Sequence, residues 1–334
     1  MNNIFANIQG DKTLWAVLIL LAGFSFLPVY SAASNLAYVS GSGNTFNYLF
    51  KHFIHLSLGF TFMYLMQKIP YHYFRGISIL MIPVVIVLLL YTIFQPSVTD
   101  SLTNTNRWIK IPFVGFTFQP STLAGVILMI YVSRYLAKIK DIDVRFSQTI
   151  LPLWIPTLFI LLLILPANFS TTAIIFSMVI LLCFVGGYPI KHLLGIVLSG
   201  ILVLSIFILT IKAYPGIFPN RVDTWKSRIE NFVNKENTTE NYQIEKAKIA
   251  IATGGVRGLG PGKSVQKNFL PQSSSDFIFA IIIEEYGLIG GLFLLTVYAL
   301  FLLRIIIISN KAESVFGSLL VIALGVPIVF QALV

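Results

Sequence analysis

Nine apolar runs, near residues 13–33, 47–67, 75–95, 120–137, 149–166, 171–187, 192–211, 286–308 and 314–334, follow one another along the chain. Each is close to the roughly 20 residues that a helix needs to cross a bilayer core. They lack the alternation of polar and apolar positions that marks the strands of a membrane barrel. The pattern therefore predicts an all-α, polytopic membrane helix bundle, with residues 1–334 as a single membrane domain. No small-residue cleavage site follows the first run, so it reads as an anchor and not as a removable leader. The last run ends the chain at "FQALV" without a polar tail, which reads as a truncated C-terminus.

One long interval, 212–285, interrupts the series. Within it, Trp225, Ile229, Phe232 and Val233 recur at helical spacing, and Ile244, Ala247, Ile249 and Ile251 suggest a second amphipathic face that stops at Gly254 and Gly255. Helices of this kind lie on a membrane surface. A connection this long in a bundle is functional or disordered, and the periodicity argues against disorder.

Charge adds a direction. Only 11% of residues are charged, against about 25% in soluble domains, and 56% are hydrophobic. The net charge of +10 does not form a dense basic stripe, which argues against nucleic acid as a partner. Instead Lys12, Lys68, Arg75, Arg134, Lys138, Lys140, Arg145, Lys191, Arg304 and Lys311 flank the ends that are cytoplasmic if the N-terminus is inside. The positive-inside bias thus places the 212–285 stretch outside. That stretch holds 10 of the Lys and Arg residues and 8 of the 13 Asp and Glu residues. The lone cysteine, Cys183, allows no intrachain disulfide.

Candidate chemistry gathers at the end of the same stretch. "GGVRGLGPGKSVQKNFLP" interleaves Gly255, Gly260 and three further glycines with Arg257, Lys263 and Lys267. Close backbone approach and flanking cations suit phosphate oxygens, while a flexible re-entrant turn explains the glycines equally well. It is not a nucleotide-binding P-loop, which would need glycine at position 257. "FLPQSSSDFIFAIIIEEYG" then places Asp276, Glu284 and Glu285 within ten positions of one another in an apolar setting. Acids in such surroundings are functional by default. Asp276, after three serines, fits either a helix cap or a catalytic carboxylate. Glu284 and Glu285 fit structural bonds to backbone amides or to a nearby cation. His52 and His55 have metal-compatible spacing but no acidic or cysteine neighbour, so they read as interfacial residues.

"NRWIKIPFVGFTFQPSTLAG" (106–125), "SRIENF" (227–232) and "GGVRGLGPGKSVQKNFLPQSSSDFIFAIIIEEYGLIGG" (254–291) together resemble the SEDS family, the FtsW and RodA proteins. "SAAS" after the first run and "PANFSTT" after the fifth are more similar to the division-type FtsW branch, of the Bacteroidetes kind, than to RodA. The resemblance implies a ten-span fold of which nine are present. It implies a peptidoglycan glycosyltransferase that polymerises lipid II, carried on an undecaprenyl diphosphate, into glycan strands in cell division. Asp276 matches the residue treated as catalytic in the family.

On that footing Arg107, Arg257, Lys263 and Lys267 are candidate diphosphate ligands. Gln119, Gly255, Gly260, Glu284 and Glu285 are candidate supports, and a Mg²⁺ or Mn²⁺ bridging the diphosphate to Asp276 is a candidate cofactor. The implied partners are a class B penicillin-binding transpeptidase and other divisome proteins, in the inner membrane. A lipid flippase and a catalytically weak scaffold are the competing readings. The chain departs from the family pattern at Thr122 and Gly125, where Glu and Lys are usual, and at Asn168, Phe169, Ser170 and Thr171, where Asp-x-Gly-Thr is usual.

Overall fold

In the computed structural model, residues 9–39, 45–95, 108–110, 117–140, 142, 144–213, 239–270 and 275–333 are described. Ten helices are found among them: α1 (Lys12–Val39), α2 (Thr45–Met66), α3 (Phe74–Phe94), α4 (Pro120–Ile139), α5 (Phe146–Ile164), α6 (Phe169–Val185), α7 (Ile190–Ala213), α8 (Thr239–Gly254), α9 (Ile278–Lys311) and α10 (Val315–Leu333). A helix covers each of the nine apolar runs. Six of the described helices are long and apolar enough to cross a membrane on their own. The polar residues Lys51, His52 and His55 lower the hydropathy of α2, whose rings bond locally: His52 Nε2 lies 2.8 Å from Ser25 Oγ, and His55 Nδ1 lies 2.6 Å from Lys51 O. A two-residue antiparallel pair, β1 (Ile109–Lys110) and β2 (Thr117–Phe118), precedes α4.

The chain forms two compact units, one of Met1–Ile69 and Asp223–Arg304, the other of Pro70–Val222 and Ile305–Val334. In the second, α4 is the enclosed element. Consecutive residues Ile127, Leu128, Met129 and Ile130 are all buried, so α4 is covered on every side, as an all-apolar central helix must be. Gly125 permits this: a Cβ there would sit 3.2 Å from Ile175 of α6. Small residues at such crossings let helix backbones approach. The other departures from the family pattern also have local roles. Asn168 caps α6, its Oδ1 accepting from Thr171 N at 3.2 Å. Thr122 Oγ1 donates to Gln119 Oε1 at 3.4 Å. In α5, Pro156 has no N–H to offer the carbonyl of Pro152, and the hydroxyl of Tyr131 donates to that carbonyl instead, beside a π turn at Ile150–Trp154.

In the first unit α9 consists of two helical segments: Ile278–Tyr286, and a longer one after Gly287 that covers the span predicted at 286–308. The helix then breaks at Gly287, whose φ of 67° and ψ of −171° are open to glycine alone. A break leaves carbonyls of the first segment and amides of the second unpaired. The 255–260 loop takes up two of each. Leu259 N and Gly260 N donate to Glu284 O and Glu285 O, each at 2.9 Å, while Leu288 N and Ile289 N donate to Gly255 O and Val256 O at 2.9 and 3.3 Å. So close an approach excludes side chains. A Cβ on Gly258 would lie 2.3 Å from Glu285 O, and one on Gly287 would lie 2.3 Å from Val256 O.

The predicted face of α8 is only partly the buried one. Ala250 and Gly254 are buried and Ala247 partly so, whereas Ile244 and Ile251 are exposed. Small residues win the inner face because Gly254 abuts the backbone of Ile283, where a Cβ would come within 2.1 Å of the carbonyl oxygen. The earlier amphipathic stretch with Trp225, Ile229, Phe232 and Val233 lies outside the described residues.

α1 meets α9 through side chains at three heights. Asp11 caps α1, accepting from Leu14 N at 2.8 Å, and its carboxylate also receives Arg304 through Nη2 and, at 3.2 Å, through Nε. Midway, the Phe24 ring lies 5.6 Å from Phe293 and 5.8 Å from Tyr286. At the far end Ser31 bonds Glu285.

Two expectations follow. Gly258→Ala should lower stability by at least about 2 kcal/mol, because it adds a steric clash to a strained φ. Gly262→Ala, at a similar φ of 75° with nothing within 4 Å, should lose distinctly less. Thermal melting of the two variants in detergent checks this, and equal losses would show that φ alone matters. For Asp11, burial raises the carboxyl pKa, but the hydrogen bond and charge of Arg304 and the Leu14 amide outweigh it, leaving the group below its ordinary 3.8. A depressed pKa contributes stability above the unfolded value and loses it as pH falls through the folded one. Asp11→Asn should therefore cost about 1 kcal/mol at neutral pH, and the gap to wild type should close as melting is measured below pH 3.8.

Candidate functional site

The two adjacent glutamates of α9 are almost wholly buried, each 1% exposed. Carboxylates so placed need donors on their lone pairs. Those of Glu284 come from the segment after the glycine loop: Ser264 Oγ, Val265 N at 3.1 Å, and Gln266 N at 3.3 Å to both oxygens. Glu285 Oε1 accepts from Ser264 N at 3.2 Å and from the hydroxyl of Ser31. A carboxylate gathering consecutive amides acts on this turn as a capping side chain acts on a helix, and it fixes the short 3₁₀ turn Gln266–Asn268. Lys267 Nζ is directed inward, donating to Gly262 O at 2.8 Å and Ser31 Oγ at 3.3 Å.

Lys246 of α8 adds a packing contact, its ammonium 5.2 Å from the Tyr242 ring and 5.0 Å from that of Phe269. Gly255 and Gly260 serve through their backbones, in the bonds across the α9 break. Arg257 and Lys263 are exposed, and the aliphatic stem of Lys263 runs 3.4 Å from where a Gly260 Cβ would stand.

Asp276 is set apart from this packed cluster. It lies in an exposed turn, residues 275–277, directly before α9. The capping alternative is not what the geometry shows: Ile278 N donates to Ser275 O, and no described residue donates to the Asp276 carboxylate. Its lone pairs are thus open to solvent or a ligand. Glu284 lies eight residues further on, inside the helical segment that this turn leads into.

Asp276, Arg257, Lys263, Lys267, Gly255, Gly260, Glu284 and Glu285 all belong to the first unit, with Lys267, Glu284 and Glu285 joined in the packed cluster and Asp276 outside it. Gln119 belongs to the second unit, at the start of α4, and Arg107 lies outside the described residues. Sequence reasoning missed Ser31 and Ser264. Both stand inside quoted motifs, "SAAS" and "GGVRGLGPGKSVQKNFLP", but neither motif pointed to a contact with Glu285.

Among the described residues there is no group of three or more His, Cys, Asp or Glu that could enclose a metal ion. Asp276 offers one carboxylate. A Mg²⁺ is commonly held by one or two carboxylates together with substrate phosphates and water, so this donor set fits an ion shared with a diphosphate.

The chain is 31% identical over 313 residues to the "Probable peptidoglycan glycosyltransferase FtsW" of Marinomonas mediterranea, covering 92% of this chain and 73% of that one. Its fold matches a chain solved under the description "Structural coordination of polymerization and crosslinking by a peptidoglycan synthase complex", with a TM-score of 0.70 and 20% identity over 97% of this chain and 85% of that. It also matches the rod shape determining protein RodA of Thermus thermophilus, with a TM-score of 0.64 and 18% identity over 97% and 83% of the two chains. The family model for FtsW, RodA and SpoVE, described as "Cell cycle protein", matches residues 11–334, and the chain belongs to that family of multi-pass membrane proteins.

Proposed function

We propose that this chain is a peptidoglycan glycosyltransferase that polymerises lipid II into glycan strands during cell division, with Asp276 as the general base of an inverting transfer. Membership of a family whose curated relatives carry the glycosyltransferase name supports the activity. The observation that carries the residue assignment is the exposed carboxylate of Asp276, without a donor among the described residues, in a turn directly before the anchored α9 segment.

An alcohol is a weak nucleophile until a base takes its proton as attack develops. In this reading the 4-hydroxyl of one lipid II gives its proton to Asp276 while its oxygen bonds to the anomeric carbon of the growing strand. The bond from that carbon to the diphosphate breaks, and the undecaprenyl diphosphate departs with the electron pair. One displacement with one base inverts the anomeric centre and needs no covalent intermediate. Negative charge grows on the diphosphate, which suits the exposed Arg257 and Lys263, with Arg107 and the inward-turned Lys267 as further candidates and Gln119 as a support. A Mg²⁺ or Mn²⁺ between Asp276 and the diphosphate would neutralise part of that charge.

The proposal places the N-terminus on the cytoplasmic side of the inner membrane and residues 212–285 outside, as the catalytic stretch of one membrane domain. A class B penicillin-binding transpeptidase and other divisome proteins are the partners it implies.

A flippase would be favoured by a broken helix that offers unpaired backbone groups to a cargo. α9 is broken at Gly287, but Glu284 O, Glu285 O, Leu288 N and Ile289 N are all bonded to the 255–260 loop. The break is used for structure. This favours the transferase.

Asp276→Asn in the full-length protein, assayed with its transpeptidase on labelled lipid II, should reduce polymer formation at least about a hundredfold. Melting should be unchanged, since no described residue donates to that carboxylate. Undiminished polymer from the variant would remove Asp276 from the role of base. No polymer from either form would transfer weight to the scaffold and flippase readings.

A further inference from the structure

Ser31 is buried, 2% exposed, in the later part of α1. A hydroxyl in such a position most often returns its proton to a carbonyl of its own helix. Ser31 also reaches a different part of the chain: it donates to Glu285 Oε1 and accepts from Lys267 Nζ at 3.3 Å. The oxygen it serves is the one that also holds Ser264 N, at 3.2 Å. Three segments distant in sequence thus meet on one hydroxyl: α1, the Ser264–Lys267 turn, and the α9 segment that follows Asp276. α1 also packs against the Gln266–Asn268 turn.

Glu285 has no donor to spare. Its Oε2 is buried without a hydrogen-bond partner, so Oε1 carries all of its described donors, and removing one of two leaves a buried carboxylate seriously undersupplied. The same loss withdraws an acceptor from Lys267, whose other described bond is to Gly262 O, beside Lys263.

We propose that Ser31 is a positioning residue for the reaction: acting through Glu285 and Lys267, it holds the glycine and lysine loop in register with the helical segment that directly follows Asp276. It touches no reacting atom. The proposal rests on the glycosyltransferase reading for its effect on rate, while the contact itself does not.

The test uses the full-length protein with its transpeptidase in lipid nanodiscs, comparing wild type, Ser31→Ala, Ser31→Thr, Glu285→Gln and the Ser31→Ala/Glu285→Gln double variant. Two readouts are taken: kcat and KM on labelled lipid II, and hydrogen exchange at the amides of residues 264–267. Ser31→Ala should lower kcat at least about tenfold, with KM within about twofold, and should speed exchange at 264–267 by a similar factor while α4 keeps its protection. Ser31→Thr, which keeps the hydroxyl, should recover most of both effects. In the double variant the two losses should not add, because both remove the same contact.

Unchanged exchange at 264–267 in Ser31→Ala overturns the contact. Faster exchange with wild-type kcat, or additive losses in the double variant, overturns the positioning role. Faster exchange spread through α1, α2 and α4 reduces Ser31 to a packing residue and overturns it as well. A wild-type protein that makes no polymer, yet shows the local exchange change, overturns the glycosyltransferase reading and leaves the contact standing.

Discussion

A helix cannot be interrupted in apolar surroundings unless every backbone group it releases finds another partner. That constraint shapes the first unit. The break at Gly287 releases carbonyls at Glu284 and Glu285 and amides at Leu288 and Ile289, and the 255–260 loop answers each with a bond of its own. Each such group left unpaired would cost about 1–3 kcal/mol. The loop is therefore bound to α9 by four reciprocal bonds and is not merely draped over it. The tight fit also explains the glycines, since a Cβ on Gly254, Gly258 or Gly287 would enter the opposing backbone. Phosphate binding is not needed to account for these three.

Once the loop is fixed, the next residues have little freedom. Ser264, Val265 and Gln266 turn their amides onto Glu284 and Glu285, so the buried charges and the turn stabilise one another. α1 joins at Ser31 and Lys267, and its other end is tied to α9 by Asp11 and Arg304. The chain has only 13 acidic residues, and three of them make these connections: two inside the packed cluster and one at the start of α1. In a membrane protein, where apolar contacts between helices compete with equally apolar lipid, such polar ties carry orientation that packing alone would not.

Much of this was legible in the sequence, for identifiable reasons. Span positions follow from mean hydropathy over twenty residues, a signal too broad to be disturbed by single substitutions, and a helix covers every predicted run. The Asp276 to Glu285 block stood out because charge is rare in such a chain. Contacts between distant segments were not legible. Ser31 differs in no local respect from Ser25 or Ser34, and only the fold brings it to Glu285. The break at Gly287 stands beside the predicted start of the 286–308 run, whereas the helical segment Ile278–Tyr286 ahead of it lay inside the long interval and was not drawn as a helix there. The inner face of α8 was not legible, because closeness of approach leaves no mark in hydropathy: Ala250 and Gly254 are buried, while Ile244 and Ile251 stay exposed, as the apolar face of a membrane-surface helix does.

The three carboxylates of the α9 segment illustrate how environment divides roles among like groups. Glu284 is saturated by donors and sealed from solvent, so it has no lone pair ready for a proton from a substrate. Glu285 is equally sealed, and its one open oxygen is buried. Asp276 is exposed, with no donor among the described residues. A general base must be able to reach both its substrate and an exit for the proton, and only the last of these groups meets that requirement. Yet the proposed base stands in the turn that leads directly into the helical segment carrying the anchors, eight residues before the first of them. Rigidity comes from the residues that cannot react, and it is delivered to the one that can.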